Sequence, residues 1–322
     1  MSLSNPLGKA RRRERRQESC SDLPRESALV VGCAAIAFFM RRLLAILLTF
    51  ALAATAHAVI IDSGDGSGNT TAPAPDPGWS HVGLRGGLTA IHLEDGWVIT
   101  AYHVAAGDVV LGGITYPLVP GSSVRLQNED ETDAELRMFA VAPPPPLAPL
   151  AIASSTPSNG APLILVGNGR NRGAATSWDP TGPLPPIHGY EWGVGRTLRW
   201  GTNFVEDFPA MRVFDTEVFG SVFDEGDSDH EAQAAVGDSG GAAFAWNGSQ
   251  WELAGVMIGV GEYEGQPAET SLYGQLTYAA DLSYYRDQIL DVIAMPEPRG
   301  GLFAGGALAG LLARRRRRCS AG

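Results

Sequence analysis

One serine in this 322-residue chain has neighbours suited to nucleophilic catalysis. Residues 234–244 read AAVGDSGGAAF, so that Ser239 follows an aspartate and precedes two glycines. A serine hydroxyl becomes a good nucleophile when a base takes its proton, and that base needs a third group to orient it. Glycines beside the serine allow tight backbone conformations in which N–H groups converge on a developing oxyanion. The stretch therefore predicts a catalytic serine, and the partners must be found elsewhere.

The positions of the histidines decide which serine machinery fits. Residues 237–241 match the G-x-S-x-G nucleophile elbow, but that arrangement needs a histidine after the serine. All six histidines come before Ser239: His57, His81, His92, His103, His188 and His230. The βαβ alternation of elbow enzymes is also missing. The chain order histidine, acid, serine is the one that remains.

A candidate base stands 136 residues before the serine. Residues 96–105, GWVITAYHVA, form an apolar run that leads to His103. W-V-I-T-A-x-H together with G-D-S-G-G resembles the chymotrypsin/trypsin-like serine proteases, over roughly residues 79–290. The resemblance implies an all-β fold of two six-stranded-type antiparallel β-barrels with a short C-terminal helix. It also implies that His103 is the general base and Ser239 the nucleophile, in the cleft between the barrels.

The same resemblance implies roles for four further positions. The amides of Gly237 and Ser239 would form the oxyanion hole, and Asp238 would be the buried carboxylate that supports it. Counting back six positions from Ser239 places Gln233 at the floor of the substrate pocket, and the strand that follows places Val260 at its wall. These uncharged residues predict a pocket for small, uncharged side chains rather than for arginine or lysine.

Two carboxylates compete for the role of the acid. The run E-L-R-M-F-A-V from Glu135 fits the alternation of apolar residues that follows the family's acid, but it has glutamate where the family has aspartate. The run D-A-E-L-R-M-F from Asp133 has the usual aspartate but puts Arg137 in an apolar position. The pattern favours Glu135, because a register error in a strand buries the wrong face. Asp133 stays the alternative.

The family often uses a newly cut, apolar N-terminus that pairs with the aspartate before the serine. Cleavage after Ala58 would expose Val59 as such a terminus. We hypothesise that Asp238 pairs with that amine, or else with an internal arginine such as Arg170 or Arg172.

The elements that would position these residues are mainly short strands. Alternating or apolar runs separated by turn residues recur from Trp79 to Ala142, and the proline-rich APPPPLAP that follows predicts a stiff connector. DLSYYRDQILDVIA predicts a helix that begins after Asp281, because its apolar residues recur at helical intervals. The predicted units are an irregular arm (59–77) and a double barrel (78–294), the latter made of a first barrel (78–142), a linker (143–149) and a second barrel (150–294).

Both ends of the chain resemble sorting signals. MRRLLAILLTFALAATAHA, from Met40, has the basic, apolar and small-residue parts of a signal peptide, so residues 1–58 are predicted to be an N-terminal extension plus signal peptide, with Met40 as an alternative start. Residues 295–322 hold Pro-Glu-Pro, a short apolar stretch and five arginines, and resemble the PEP-CTERM signal that exosortases process in Gram-negative bacteria. We predict an exported protein of the cell surface or extracellular matrix, processed by signal peptidase and exosortase and attached to the membrane only through these segments.

The charge and cysteine content of the chain limit the kinds of partner and cross-link it can have. Residues 59–298 hold nine arginines, no lysine and 31 carboxylates, so nucleic acid is excluded as a partner by charge. The three cysteines, Cys20, Cys33 and Cys319, lie in the terminal segments, which predicts a domain without disulfides. The acidic residues around His230 match no ligand spacing, and we predict neither metal nor cofactor.

The predicted function is a serine endopeptidase acting on proteins or peptides. The alternative is a catalytically weak or inactive trypsin-like module that binds the extracellular matrix.

Overall fold

The structure is a computed structural model that describes residues 59–207 and 211–295. The predicted signal peptide and all of the predicted sorting tail except Met295 lie outside these ranges. Within them, no helix has the length and apolar character needed to cross a membrane. The chain runs mainly in short strands, because apolar residues alternate over brief runs that end at glycine, proline or aspartate.

The strands of the two ranges are β1 (Ile60–Ile61), β2 (Val82–Arg85), β3 (Leu88–Glu94), β4 (Trp97–Ala101), β5 (Val109–Leu111), β6 (Ile114–Tyr116), β7 (Val124–Gln127), β8 (Asp133–Ala140), β9 (Pro162–Gly167), β10 (Arg170–Trp178), β11 (Ile187–Arg196), β12 (Arg199–Phe204), β13 (Met211–Val213), β14 (Thr216–Val222), β15 (Ala232–Gln233), β16 (Ala242–Trp246), β17 (Trp251–Gly261), β18 (Thr270–Leu272) and β19 (Leu276–Asp281). Helix α1 (Leu282–Ile293) follows β19 directly.

Two seven-stranded antiparallel sheets hold most of these strands. The first sheet has the order β6-β5-β2-β3-β4-β8-β7, and the second has the order β12-β9-β16-β17-β19-β14-β13. The main apolar core joins the two sheets, since Ile99 and Leu136 of the first sheet belong to the same buried cluster as Val166 and Val256 of the second. The predicted all-β class is confirmed, and the short edge strands β6 and β13 bring each sheet to seven strands.

Two smaller sheets complete the fold. Strands β10, β11 and β18 form one of them, and β1 pairs with β15 to form the other. The segment predicted as an irregular arm thus begins with a strand, in which Ile60 lies opposite Gln233. Ile60 and Ile61 are almost completely buried, because they fill apolar clusters beneath β15.

The predicted C-terminal helix is present, and Asp281, after which the sequence predicts it to begin, is its N-cap residue. The side chain of Asp281 accepts a hydrogen bond from the backbone N–H of Ser283, which satisfies one of the free donors at the start of α1. Leu282, Tyr285 and Ile289 are buried on one face, as the helical spacing predicts. Tyr285 also reaches the residue that follows β7 of the first sheet, since its hydroxyl donates to Asn128 Oδ1 at 2.6 Å. Helix α1 therefore contacts both sheets.

Candidate active site

Ser239 lies in a tight turn between β15 and β16. Gly237 and Gly240 have φ values of 110° and 82°, which side-chain-bearing residues rarely adopt. The Gly240 N–H donates to Met257 O at 2.9 Å, and the Gly241 N–H donates to Asp238 O at 2.7 Å. The turn is thereby held against β17, and the half-buried Ser239 faces a cavity.

The amides predicted to form an oxyanion hole are available for a ligand. Among the hydrogen bonds of residues 59–207 and 211–295, none has the N–H of Gly237 or Ser239 as donor, whereas the Asp238 N–H between them donates to Ala235 O at 3.0 Å. The Gly237 carbonyl is turned away and accepts from the Thr89 hydroxyl at 3.3 Å. Two free amides flanking one engaged amide are an arrangement that can bind an oxyanion.

Asp238 is completely buried and holds three parts of the chain together. Its carboxylate accepts from the Gly169 N–H at 2.6 Å and from the Ala235 N–H at 2.8 Å. It also accepts a hydrogen bond from the backbone N–H of Val59. Burial raises the pKa of Asp238 to about 7, against the opposing effect of these donors. A carboxylate in this position supports the turn that carries Ser239.

The partner of Asp238 bears on the activation hypothesis. Arg170 is paired with Glu269 at 3.5 Å, and Arg172 donates to the carbonyls of Ile61 and Asp62 in the arm. The backbone nitrogen of Val59 bonds to Asp238, and neither of these two arginines is among the donors named for that carboxylate. Arg172 instead binds the arm just after Val59 and helps to hold Val59 in its position.

His103 stands in a 3₁₀ turn that follows the buried strand β4. Its Nδ1 lies 2.6 Å from Glu135 Oε1, and its backbone N–H donates to the same oxygen at 2.9 Å. Because a carboxylate can only accept, Nδ1 carries the proton in this contact, which leaves Nε2 as the basic nitrogen. The Glu135 side chain is 14% exposed and that of His103 46%, so the acid is shielded while the base remains open to the cavity.

The two candidate acids lie on the same strand but have different partners. The β4–β8 register places Ala101 opposite Leu136, so the residue just before Leu136 meets the turn that carries His103. Asp133, two positions earlier, pairs with Arg125 Nη1 at 3.0 Å. The structure therefore brings Glu135, and not Asp133, to the histidine.

Tyr102, which precedes the histidine, packs between two cations. The guanidinium carbon of Arg125 lies 3.7 Å from the ring centroid, and that of Arg137 lies 4.2 Å from it. In the sequence pattern, Arg137 disfavours Asp133 as the acid, because the run that starts at Asp133 would put this arginine in an apolar position. The ring face of Tyr102 gives it a suitable partner.

The substrate-pocket candidates occupy different places. Val260 lines a cavity of about 440 Å³ together with His103, Glu135 and Ser239. Gln233 is 1% exposed in β15, and among the described residues it does not line that cavity, although its neighbour Ala234 does. The remaining lining comes from apolar residues and a glycine: Phe214, Ala235, Val236, Met257, Ile258 and Gly259.

Two residues of the site had no signal in the sequence. Thr216 is fully buried, and its hydroxyl accepts the Glu135 N–H at 2.6 Å, so it fixes the backbone of the acid. Phe214, two residues earlier, lines the cavity and is largely exposed. Both belong to the β13–β14 hairpin, about 80 residues away in sequence from Glu135, and neither stands in a recognisable motif.

Within residues 59–207 and 211–295, no three His, Cys, Asp or Glu residues are grouped so that they could hold a metal ion. In the acidic loop, His230 Nδ1 contacts the Ser63 hydroxyl at 2.8 Å. Glu231 is 1% exposed and accepts from the Ser228 hydroxyl at 2.6 Å. Burial raises the pKa of Glu231 to about 8.

Comparisons with known proteins give similarity in structure but not in sequence. No protein-family profile matches the chain, and no curated protein sequence is similar to it. Among solved structures, neuropsin, a serine protease expressed in the limbic system of mouse brain, is 16% identical over 70% of this chain and 98% of its own, with a TM-score of 0.45. Kallikrein-related peptidase 10 in complex with Zn²⁺ is 15% identical over 67% and 95%, with a TM-score of 0.43. The HtrA-type protease AlgW with a decapeptide is 16% identical over 64% and 51%, with a TM-score of 0.40.

Proposed function

We propose that this protein is a serine endopeptidase that cleaves peptide bonds through an acyl-enzyme. The observation that carries the proposal is the grouping of Ser239, His103 and Glu135 on one cavity, with the histidine Nδ1 bound to the carboxylate. A serine, a basic imidazole nitrogen and an orienting acid are the groups that acyl transfer needs. The free amides of Gly237 and Ser239 supply the fourth requirement, which is stabilisation of the oxyanion.

The chemistry follows from these positions. His103 Nε2 takes the proton of the Ser239 hydroxyl while Oγ forms a bond to the substrate carbonyl carbon. The carbonyl oxygen becomes an oxyanion and binds the Gly237 and Ser239 amides. The C–N bond then breaks as the protonated imidazole gives its proton to the leaving amine. Water repeats these steps on the acyl-enzyme, releasing the acid and restoring Ser239. Glu135 stays ionised and stabilises the imidazolium that forms in each half.

An extended peptide is the substrate that the site fits. β16 pairs with β17 only as far as Val256, and Met257 bonds to Gly240 and Gly241 of the serine turn. The residues that follow, 258–260, line the cavity. A strand edge beside a reactive serine can bind a peptide through main-chain hydrogen bonds. The apolar lining, which includes Ala234, Val236 and Val260, supports a preference for small, uncharged side chains before the cleaved bond.

The proposal extends to the place where the enzyme acts. We propose that it works outside the cytoplasm, at the cell surface or in the extracellular matrix, after processing by signal peptidase and exosortase. The sequence patterns of residues 1–58 and 295–322 support this part of the proposal. Detection of the protein in a surface fraction, with its first residue read by N-terminal sequencing, tests it.

Labelling with a fluorophosphonate tests the catalytic assignment. Such a probe phosphonylates a serine that an adjacent base activates, and we expect stoichiometric labelling of a chain that begins at Val59. The Ser239→Ala variant should lose the label, whereas a matched Ser221→Ala variant, which removes a buried serine of β14 instead, should keep it. Labelling that persists in Ser239→Ala would disprove the assignment. A folded wild type without label would favour a binding module without catalysis.

A further inference from the structure

The β13–β14 hairpin presents an aromatic side chain at a position where none is expected. Phe214 is 65% exposed, and the two residues of its turn, Phe214 and Asp215, have φ values of 51° and 54°. Two consecutive positive φ values fit a type I′ turn, for which glycine and asparagine are the favoured residues. A positive φ is costly for phenylalanine, and backbone strain of this kind is concentrated at functional sites, so the turn is a candidate for a role beyond folding.

The ring of Phe214 is placed at the cavity that holds the nucleophile. Phe214 lines that cavity together with Ser239 and His103. One atom of its ring lies 3.0 Å from the point where a Cβ on Gly259 would stand. The missing side chain of Gly259 therefore leaves the space over β17 that the ring occupies. Val236, 53% exposed, adds a second apolar surface to the same cavity.

The turn is fixed from both of its ends. The Thr216 hydroxyl donates to Phe214 O at 3.1 Å, and Asn128 Nδ2 donates to Asp215 O at 2.6 Å. The same Thr216 oxygen accepts the N–H of Glu135. The hairpin tip is thus joined to the first sheet beside the acid. A ring held in this way is preorganised for binding and loses little freedom when a ligand arrives.

We propose that Phe214 is a specificity-determining residue, whose ring binds an apolar or aromatic side chain of the peptide substrate at a position other than the residue directly before the cleaved bond. The inference rests on the proposed peptidase function and goes beyond it, because it names a second recognised side chain in addition to the one next to the cleaved bond. An aromatic pair adds binding energy beyond the area it buries, and this preference should be visible as a rate ratio.

A scan with internally quenched peptides measures this ratio. Each peptide carries one phenylalanine or, in its matched partner, one glycine, at successive positions on either side of an alanine-rich cleavage site. We expect one position at which wild type prefers phenylalanine by about 5- to 10-fold in kcat/KM. Phe214→Asn should bring that ratio to about one, and Phe214→Leu should give an intermediate value. Ile114→Asn removes a similarly exposed apolar side chain from β6 and should leave the ratio as in wild type.

Thermal unfolding distinguishes recognition from a structural role. Asparagine tolerates a positive φ better than phenylalanine does, so Phe214→Asn should unfold at the same temperature as wild type or higher. A lower midpoint would show that the ring serves the fold and would overturn the proposal. An unchanged phenylalanine-to-glycine ratio in a Phe214→Asn variant that still labels at Ser239 would overturn it as well.

A binding measurement separates this inference from the peptidase proposal. The same peptides, carrying a fluorophore, are titrated against Ser239→Ala and against Ser239→Ala combined with Phe214→Asn, with anisotropy as the readout. Tighter binding of the phenylalanine peptide to the first protein and not to the second supports the role of Phe214, even if the wild type fails to label. Equal binding of both peptides to both proteins overturns it.

Discussion

The contact between Val59 and Asp238 predicts that a chain that begins at Val59 and a chain that begins before it differ in how their stability depends on pH. In a chain that continues before Val59, this nitrogen is an uncharged amide donor, and burial keeps the pKa of Asp238 at about 7. In a chain that begins at Val59, the same nitrogen is an ammonium group. A positive charge in direct contact with the carboxylate stabilises it and lowers its pKa.

The size of the effect follows from the shift. A carboxyl group whose pKa is about 7 when folded and 3.8 when unfolded binds its proton more tightly in the folded state. The free energy of unfolding of the extended chain therefore falls as the pH rises from 4 to 7. A shift of about 3 pKa units corresponds to a loss of about 4 kcal/mol. The chain that begins at Val59 should lack this slope, although burial of the ammonium group carries its own desolvation cost.

Urea denaturation between pH 4.5 and 7.5 measures both chains. One is released from a cleavable fusion so that it starts at Val59, and the other keeps Ala58 and the residue before it. Other buried groups such as Glu231 titrate alike in both and cancel in the difference. The Asp238→Asn variant should make the two profiles parallel. Parallel profiles in the unsubstituted pair would refute the reasoning, because the nitrogen of Val59 would then not govern the ionisation of Asp238.

Three further outcomes are expected. Glu135→Gln should lower kcat/KM by about 10²- to 10⁴-fold, because a neutral amide no longer stabilises the imidazolium of His103, whereas Asp133→Asn should change it less than about twofold; equal losses would contradict the role of Glu135. Glu231→Gln should raise the free energy of unfolding by roughly 4 kcal/mol at pH 8 and little at pH 4.5, because burial holds the pKa of this acid near 8 and the unfolded chain favours its ionised form; urea denaturation at both pH values decides. Tyr102→Leu should lower the free energy of unfolding by about 1 kcal/mol through loss of two cation–π contacts, and unchanged stability would show that these contacts contribute nothing.

Much of the first sheet and of the site could be read from the sequence because the signals are local. The apolar run that leads to His103 and the glycines around Ser239 each lie within about ten residues. The helix after Asp281 was equally accessible, since its apolar residues recur on one face. The choice between Glu135 and Asp133 was not decided by pattern, because it depends on which carboxylate reaches the turn after β4.

The strands between Arg170 and Val222 have little strand signal in the sequence, for a physical reason. β10 and β11 pair with each other and are exposed along much of their length, so glycine, arginine and serine replace the apolar alternation that marks a strand. The β13–β14 hairpin was hidden for a different reason, because its turn is Phe214–Asp215 rather than a pair containing glycine or asparagine. Contacts such as that between Thr216 and Glu135 depend on tertiary folding, which no local pattern encodes.

The burial of Val59 has a consequence for chemical probing. Residues 59–298 contain no lysine, so a protein that begins at Val59 and ends within this range carries a single primary amine. An amine-reactive reagent can modify that group only while the N-terminus is out of its buried position. The rate of acylation under native conditions would therefore report how often the support beneath Ser239 opens, from one reactive atom and without any substrate.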